Sequence, residues 1–502
     1  MCVFVISLVI GLWIYRDFGL SWDEPQQRQI GYNTYDYIAS GDRGAFDAFE
    51  DKDYGVAFEL PLVVLERALR LEDTRDVYFM RHLVTHLSFL LGAFCMYLLA
   101  FRATGNAHIA LLTYVMFLAS PLTFSHSFFN TKDVPFMSMY VVAMYAATTA
   151  FQRNKPAYFA LAGLACALLT NLRVMGVLLV ACVVAFLAVD VLTSRERAKS
   201  CLYNGLVFTG AFALVLYATW PLLWGGNPIV LFAKAFEHMS QFRWGGSVLL
   251  GGQRYKATDL PWDYFPIWFS HTVPLPWLAL GSSGIALLSY NVLRRPLAAL
   301  RSTKDRTFIL FLLNFSGPIV AVWVFGSVLY DGWRQMFFVY PPFLLLAAFA
   351  LDWVWQKRRA FRVGIVVLVV STVVAVVSFL FQAHPFGHVY FNLLVPHEWN
   401  YVKEHYEMDY WGTSYRMALE HVVANDSRDE IKVKARNRPG ELAALLLEPS
   451  ERKRLSFVKA LEEADYYVTN FRGIDDTTYA PEAVDFRIVR QNSPIVEVVK
   501  LR

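Results

Sequence analysis

From the first residue to about position 383 the chain is a succession of apolar stretches separated by short polar breaks, and few folds can hold such a sequence. A bilayer core takes roughly 20 helical residues. By that criterion the apolar stretches are Met1 to Ile14, Tyr78 to Phe101, Ala107 to Phe124, Val134 to Phe151, Ala157 to Thr170 and Val174 to Leu192. They continue at Tyr203 to Leu223, Pro274 to Leu293, Phe308 to Leu329, Met336 to Trp355 and Val363 to Phe381. This predicts a mainly α, polytopic membrane bundle of about eleven helices over residues 1–383. Composition agrees: 18% of residues are charged, against roughly 25% in soluble proteins. The net charge of +4 is too small to argue for a nucleic-acid partner.

Short loops set the orientation, because Lys and Arg collect on the cytoplasmic side. Arg102; Arg153 and Lys155; Arg195, Arg197 and Lys199; Arg294 to Arg306; and Lys357 to Arg362 fall on one side of an eleven-span chain. That holds only if Asn171 to Arg173 separates two helices and is not a kink within one. Met1 to Ile14 is short and lacks a basic leader and a cleavage site, so it reads as an uncleaved first helix and not a signal peptide. Outward segments are then residues 16–77, 125–133, 224–273, 330–335 and a tail from 384 to 502.

The tail reads as a small extracytoplasmic α/β domain. Strand-like runs at Ile431 to Val433, Tyr466 to Val468, Phe486 to Val489 and Ile495 to Val499 alternate with helical patterns at Tyr415 to Val423 and Val458 to Glu463. All five cysteines lie in or beside the apolar segments, so the outward surface has no disulfide framework, and no spacing suggests zinc. This suits a bacterial inner membrane with the active side in the periplasm.

Four polar groups sit at outward helix ends, each with a structural and a chemical reading. Ser21-Trp22-Asp23-Glu24-Pro25 contains a capping-box pattern, which accounts for Glu24 better than for Asp23. In Asn130-Thr131-Lys132-Asp133-Val134-Pro135, Lys132 is either a phosphate ligand or a side chain snorkelling to headgroups, while Asp133 caps the next helix, orients Lys132 or helps hold a metal. Arg173 stands where two apolar helices meet and demands a partner, protein or ligand. In Tyr330-Asp331-Gly332-Trp333-Arg334, Arg334 can fork onto phosphate oxygens with Tyr330 donating, or pair internally with Asp331. Under the inferred topology all four groups share the outer face, where a base could work beside a phosphate.

On these residues the chain resembles the GT-C superfamily of membrane glycosyltransferases, in particular the dolichyl-phosphate-mannose protein mannosyltransferases and the bacterial aminoarabinose transferases. The shared features are Asp23-Glu24 in the first outer loop, Lys132-Asp133 in the second, Arg173 ahead of Gly176, and the helical domain followed by an outer domain. The resemblance implies inverting transfer from a polyprenyl-phosphate sugar to a glycan, lipid or protein acceptor. Asp23 would be the general base, Glu24 would orient the acceptor or its partners, and Lys132, Arg173 and Arg334 would bind the donor phosphate, supported by Asp133, Tyr330 and Asp331. No cofactor is required by this chemistry. The carboxylates would suit Mg²⁺ or Mn²⁺, while the cations could neutralise the leaving group without one. Gln26 stands where the aminoarabinose transferases have an arginine, and the nearest one, Arg28, lies on another helix face. The repeats that eukaryotic protein mannosyltransferases carry between helices are absent. Asp409-Tyr410-Trp411-Gly412 and its neighbours fit a dock onto the membrane domain better than a sugar platform. The rival class is a transporter or flippase of a lipid-linked or anionic substrate, disfavoured because no repeated halves are visible.

Overall fold

A computed structural model describes residues 2–193, 196, 198–240, 244–473 and 481–502. Each of the eleven apolar segments contains a helix, and among the described residues these helices differ in length and apolarity. Seven helices are long and apolar enough to cross a membrane, or eight if the bent pair Ala107–Leu118 and Pro121–Phe129, which turns through 62°, is one span. Val3–Ile14 and Pro156–Leu172 are shorter apolar helices. Leu275–Arg294 is diluted by Gly281-Ser282-Ser283-Gly284 and is not among the seven. A helix sheltered by neighbours needs neither full length nor a wholly apolar surface, so a strict length and hydropathy criterion passes over some helices of the bundle.

The lipid face is legible as an inverted exposure pattern. On Arg359–Ala383, Val363, Val367, Val370 and Val374 are all at least half exposed, at helical spacing, and only Val369, Val376 and Ala383 are buried. By contrast Tyr340–Trp355 is buried along residues 340–352 and forms the axis of the bundle. Leu275–Arg294 packs along it through Trp277, Leu280, Gly281, Gly284 and Leu288. The protein is an integral membrane protein.

Side-chain contacts gather the basic loops at one end. Arg102 donates to Gln152, Asn204 to Asn154, and Arg306 forks onto Asp190 at 2.7 and 2.9 Å, while Lys304 pairs with Asp352. Arg195 and Arg197 lie outside the described residues. Arg173 is extended (φ −151, ψ 136), separating Pro156–Leu172 from the single 3₁₀ turn and helix that follow, as the charge pattern requires.

The opposite end carries the polar parts. Helices Glu24–Ser40 and Glu59–Ala68 form the first outer segment, and an antiparallel hairpin of β1 (Ser247–Leu250) and β2 (Gln253–Lys256) belongs to the third. The tail builds a five-stranded mixed sheet from β3 (Ile431–Ala435), β4 (Leu455–Phe457), β5 (Tyr466–Thr469), β6 (Val484–Arg490) and β7 (Ser493–Lys500), in the order β4-β3-β5-β7-β6. Helix Tyr415–Asn425 packs on it as the periodicity predicts. The helix expected at Val458 to Glu463 is instead one 3₁₀ turn, Leu461–Glu463, because only eight residues join β4 to β5. A bridge between Leu250 and Tyr406 ties the hairpin to the tail.

The approach of Leu275–Arg294 to the central helix is tight: a Cβ on Gly284 would lie 1.9 Å from the carbonyl oxygen of Leu346. Gly284→Ala should therefore cost about 1–3 kcal/mol through overpacking. The check is thermal unfolding in detergent against Gly317→Ala, whose site is open; equal melting temperatures would contradict this packing.

Candidate active site

Asn130 fixes the turn that carries the second polar group. Its Oδ1 accepts from the backbone N–H of Asp133 (2.8 Å) and Lys132 (3.3 Å), and Pro135 fits the first helical turn because no partner for its nitrogen is needed. The turn buries Asp133 and leaves Lys132 beside the cavity. Asp133 Oδ2 accepts from Asn130 Nδ2 at 2.9 Å and from Arg334 at 3.2 Å, and its Oδ1 forms an ion pair with Arg173 at 2.5 Å. Buried charge is tolerated when it is paired and hydrogen-bonded in this way.

Arg334 begins the 3₁₀ turn leading into the central helix, and its guanidinium is shared. Besides Asp133 it reaches Asp23 and Asp331, each at 3.4 Å, and its charge lies over the rings of Tyr330 (4.8 Å) and Trp411 (4.5 Å). Asp331 and Gly332 are both left-handed (φ +56 and +69), which turns Asp331 back toward Arg334. Arg472, from the loop after β5, donates to Asp331 at 2.5 Å and to the carbonyl of Tyr410 at 2.5 Å. Burial pushes the Asp331 carboxyl above its usual range, with Arg472 and Arg334 opposing.

These groups wall a cavity of about 400 Å³ lined by Asp23, Lys132, Tyr330, Asp331 and Arg334, with Trp22, Tyr54 and Trp244 among its aromatic walls. Asp23, at the start of its helix, is the member of the Asp23-Glu24 pair with an exposed edge, its side chain 27% accessible. Lys132 Nζ sits 3.9 Å above the Tyr54 ring, and among the described residues no carboxylate comes within ion-pair distance of it. Burial and then Arg173 press its pKa below the usual lysine value, while Asp23 pulls the other way. An unpaired cation beside aromatic walls is what an anionic ligand would complete.

Other expected residues stand elsewhere. Glu24 does not line the cavity: it accepts from the Ser21 N–H at 2.8 Å, half of the capping box, and meets His82 at 3.0 Å. Its carboxylate fixes the turn that presents Asp23. Arg173 stands behind Asp133, outside the cavity lining, and Arg28 is paired with Glu66. Among the described residues no group of three or more His, Cys, Asp or Glu side chains is arranged to hold a metal. Trp411 and Tyr410 are buried against the membrane domain, the Trp411 carbonyl accepting from the Trp22 N–H at 3.2 Å. This is the dock that the tail's aromatics predict. Sequence reasoning missed Arg472, Glu407, Trp244 and Tyr54, which also line the cavity.

Residues 74–224 match the family described as dolichyl-phosphate-mannose-protein mannosyltransferase, and this segment contains Lys132, Asp133 and Arg173. The fold is similar to the oligosaccharyltransferase of Archaeoglobus fulgidus tethered with an acceptor peptide: 12% identity, TM-score 0.51, covering 92% of this chain and 64% of that one. ArnT from Cupriavidus metallidurans bound to undecaprenyl phosphate aligns over 99% of this chain and 97% of its own, at 14% identity and a TM-score of 0.49. No curated protein matches the chain by sequence. The matched segment, residues 74–224, thus lies within a fold shared with that oligosaccharyltransferase.

The ion-pair pattern predicts contrasting stabilities. Asp133→Ala strands the buried Arg173 guanidinium and removes one of three carboxylates from Arg334, and should cost about 3–5 kcal/mol, whereas Lys132→Ala, which breaks no ion pair, should stay within about 1 kcal/mol. Thermal unfolding in detergent distinguishes them, and equal losses would contradict the assignment of Asp133 as the structural anion.

Proposed function

We propose that the protein is an inverting glycosyltransferase that moves a sugar from a polyprenyl-phosphate donor to an extracytoplasmic acceptor, either a glycan, a lipid or a protein. The observation that carries this reading is the pairing, in one cavity, of an unpaired lysine with a carboxylate that keeps an open edge. The cavity lies at the end of the bundle away from the basic loops, the periplasmic side if the membrane is a bacterial inner membrane.

In this reading the donor phosphate meets Lys132 and Arg334. The acceptor hydroxyl or amine attacks the anomeric carbon from the face opposite the phosphate. A new bond forms to that carbon, its bond to the phosphate oxygen breaks, and the electron pair leaves with the lipid phosphate. Asp23 takes the acceptor's proton. Charge grows on the phosphate where fixed cations already stand, so little reorganisation is needed. Tyr330 supports the Arg334 guanidinium from below, and Arg173 acts through Asp133. These cations can meet the leaving-group charge by themselves, so turnover should survive chelation of Mg²⁺ and Mn²⁺ by EDTA.

Asp23→Asn should lower turnover by about 10²–10⁴-fold while leaving the melting temperature near wild type. Lys132→Ala should weaken donor affinity by roughly tenfold or more in addition to slowing release. The assay offers purified protein in nanodiscs a panel of polyprenyl-phosphate sugars and follows free polyprenyl phosphate by mass spectrometry. Full release by Asp23→Asn would remove Asp23 from the base role, and unchanged donor affinity in Lys132→Ala would remove Lys132 from the phosphate site. No release by wild type from any donor, with membrane extract supplied as acceptor, would sink the reading.

A further inference from the structure

The cavity just described has a neighbour of about 340 Å³, walled by the tail and by the β1–β2 hairpin. Only two residues line both chambers, Glu407 and Arg472. Arg472 is fully engaged, held by Asp331 and the Tyr410 carbonyl and lying 5.3 Å from the Trp22 ring. Glu407 is not engaged. It is 9% exposed, and its carboxylate makes no hydrogen bond or ion pair with another described residue. A carboxylate that deep without a donor is costly, and nothing in the packing of the fold uses it.

We propose that Glu407 is the acceptor-binding residue of this transferase: a carbohydrate acceptor enters through the outer chamber and donates a hydroxyl hydrogen bond to the Glu407 carboxylate, which aims its nucleophilic hydroxyl into the donor chamber. The inference rests on the transferase reading above and extends it to the second substrate. Sugar hydroxyls both donate and accept, matching a partition made of one carboxylate and one guanidinium. The outer chamber adds aromatic faces from Tyr406, Tyr410 and Phe471, and charges of both signs from Lys403 and Glu404, a lining unsuited to an acyl chain. Its volume lies within the range of small-molecule sites.

Burial lifts the Glu407 carboxyl to about 7, with Asp331 adding to the rise and Arg472 and Arg254 opposing it. His388 and Tyr410 also border it, lining with it a small pocket on its inner side. Acceptor binding should therefore strengthen as pH rises through about 7 and the carboxylate forms. Stability should move the other way. A folded-state pKa above the usual 4.5 favours the protonated folded form, so this group's contribution is full below about 4.5 and is lost as pH rises through about 7. Glu407→Gln, isosteric and neutral, should fold and should melt higher than wild type above about pH 4.5, the difference growing until about pH 7.

The test uses the full chain in nanodiscs with polyprenyl-phosphate sugars as donors and a panel of methyl glycosides as acceptors, the glycosylated product being read by mass spectrometry. Glu407→Gln should raise the acceptor KM about 10- to 100-fold, the loss of one hydrogen bond to a charged group, and should abolish its pH dependence. Donor affinity should stay within about twofold, and Glu407→Asp should be intermediate. An unchanged acceptor KM in Glu407→Gln, an equal loss of donor affinity, or wild-type transfer to peptides or lipids but to no glycoside would each overturn the proposal. A wild type that releases no polyprenyl phosphate fails at the earlier step, and the inference would fall with the transferase reading.

Discussion

The outer end of this protein is organised by one buried anion. Asp133 is 1% exposed and holds two arginines that begin far from it in sequence, Arg173 at the break between two helices and Arg334 at the foot of the central helix. None of the three charges is stable at that depth alone, so the ion pairs and the helix arrangement require one another. Because Asp133 takes the guanidinium groups, Lys132 on the same turn is left with only the Tyr54 ring. Pairing most of the charges leaves one cation available where a ligand can reach it.

The same logic separates structural from reactive carboxylates. Glu24 and Asp23 are neighbours in sequence, yet Glu24 is consumed by the Ser21 backbone and His82, while Asp23 keeps an open edge and a longer contact to Arg334. Adjacent helical residues point about 100° apart, so a paired acid motif at a helix start delivers one side chain to the site and one to the scaffold. The scaffold member still matters to the chemistry, since it fixes the turn on which the reactive one stands.

Much of this was legible before any coordinates. Hydropathy locates every membrane helix and the basic loops orient them, because both signals are local and strong. The strands of the tail were found by alternation at β3, β5, β6 and β7, but β4, at three residues, is too short to show a pattern. Asp23, Lys132 and Arg334 could be singled out because a charge beside an apolar helix is conspicuous. That the tail completes the cavity was not legible: Arg472 and Glu407 sit in an ordinary soluble sequence where charge is unremarkable, and only tertiary packing places them beside Asp331.

The tail is therefore part of the site and not an appendage to it. Trp411 supports Arg334, Arg472 holds Asp331 against the same guanidinium, and Leu250 bridges the hairpin to Tyr406 next to Glu407. Among the described residues, two ionisable groups of this construction have no protein ion pair of their own, Lys132 in the chamber beside Asp23 and Glu407 on the partition. One seeks an anion and the other seeks hydrogen-bond donors, and they open toward different chambers. A reaction between a phosphate-bearing substrate and a hydroxyl-rich one would satisfy both at once, and satisfying both brings the two substrates together beside Asp23.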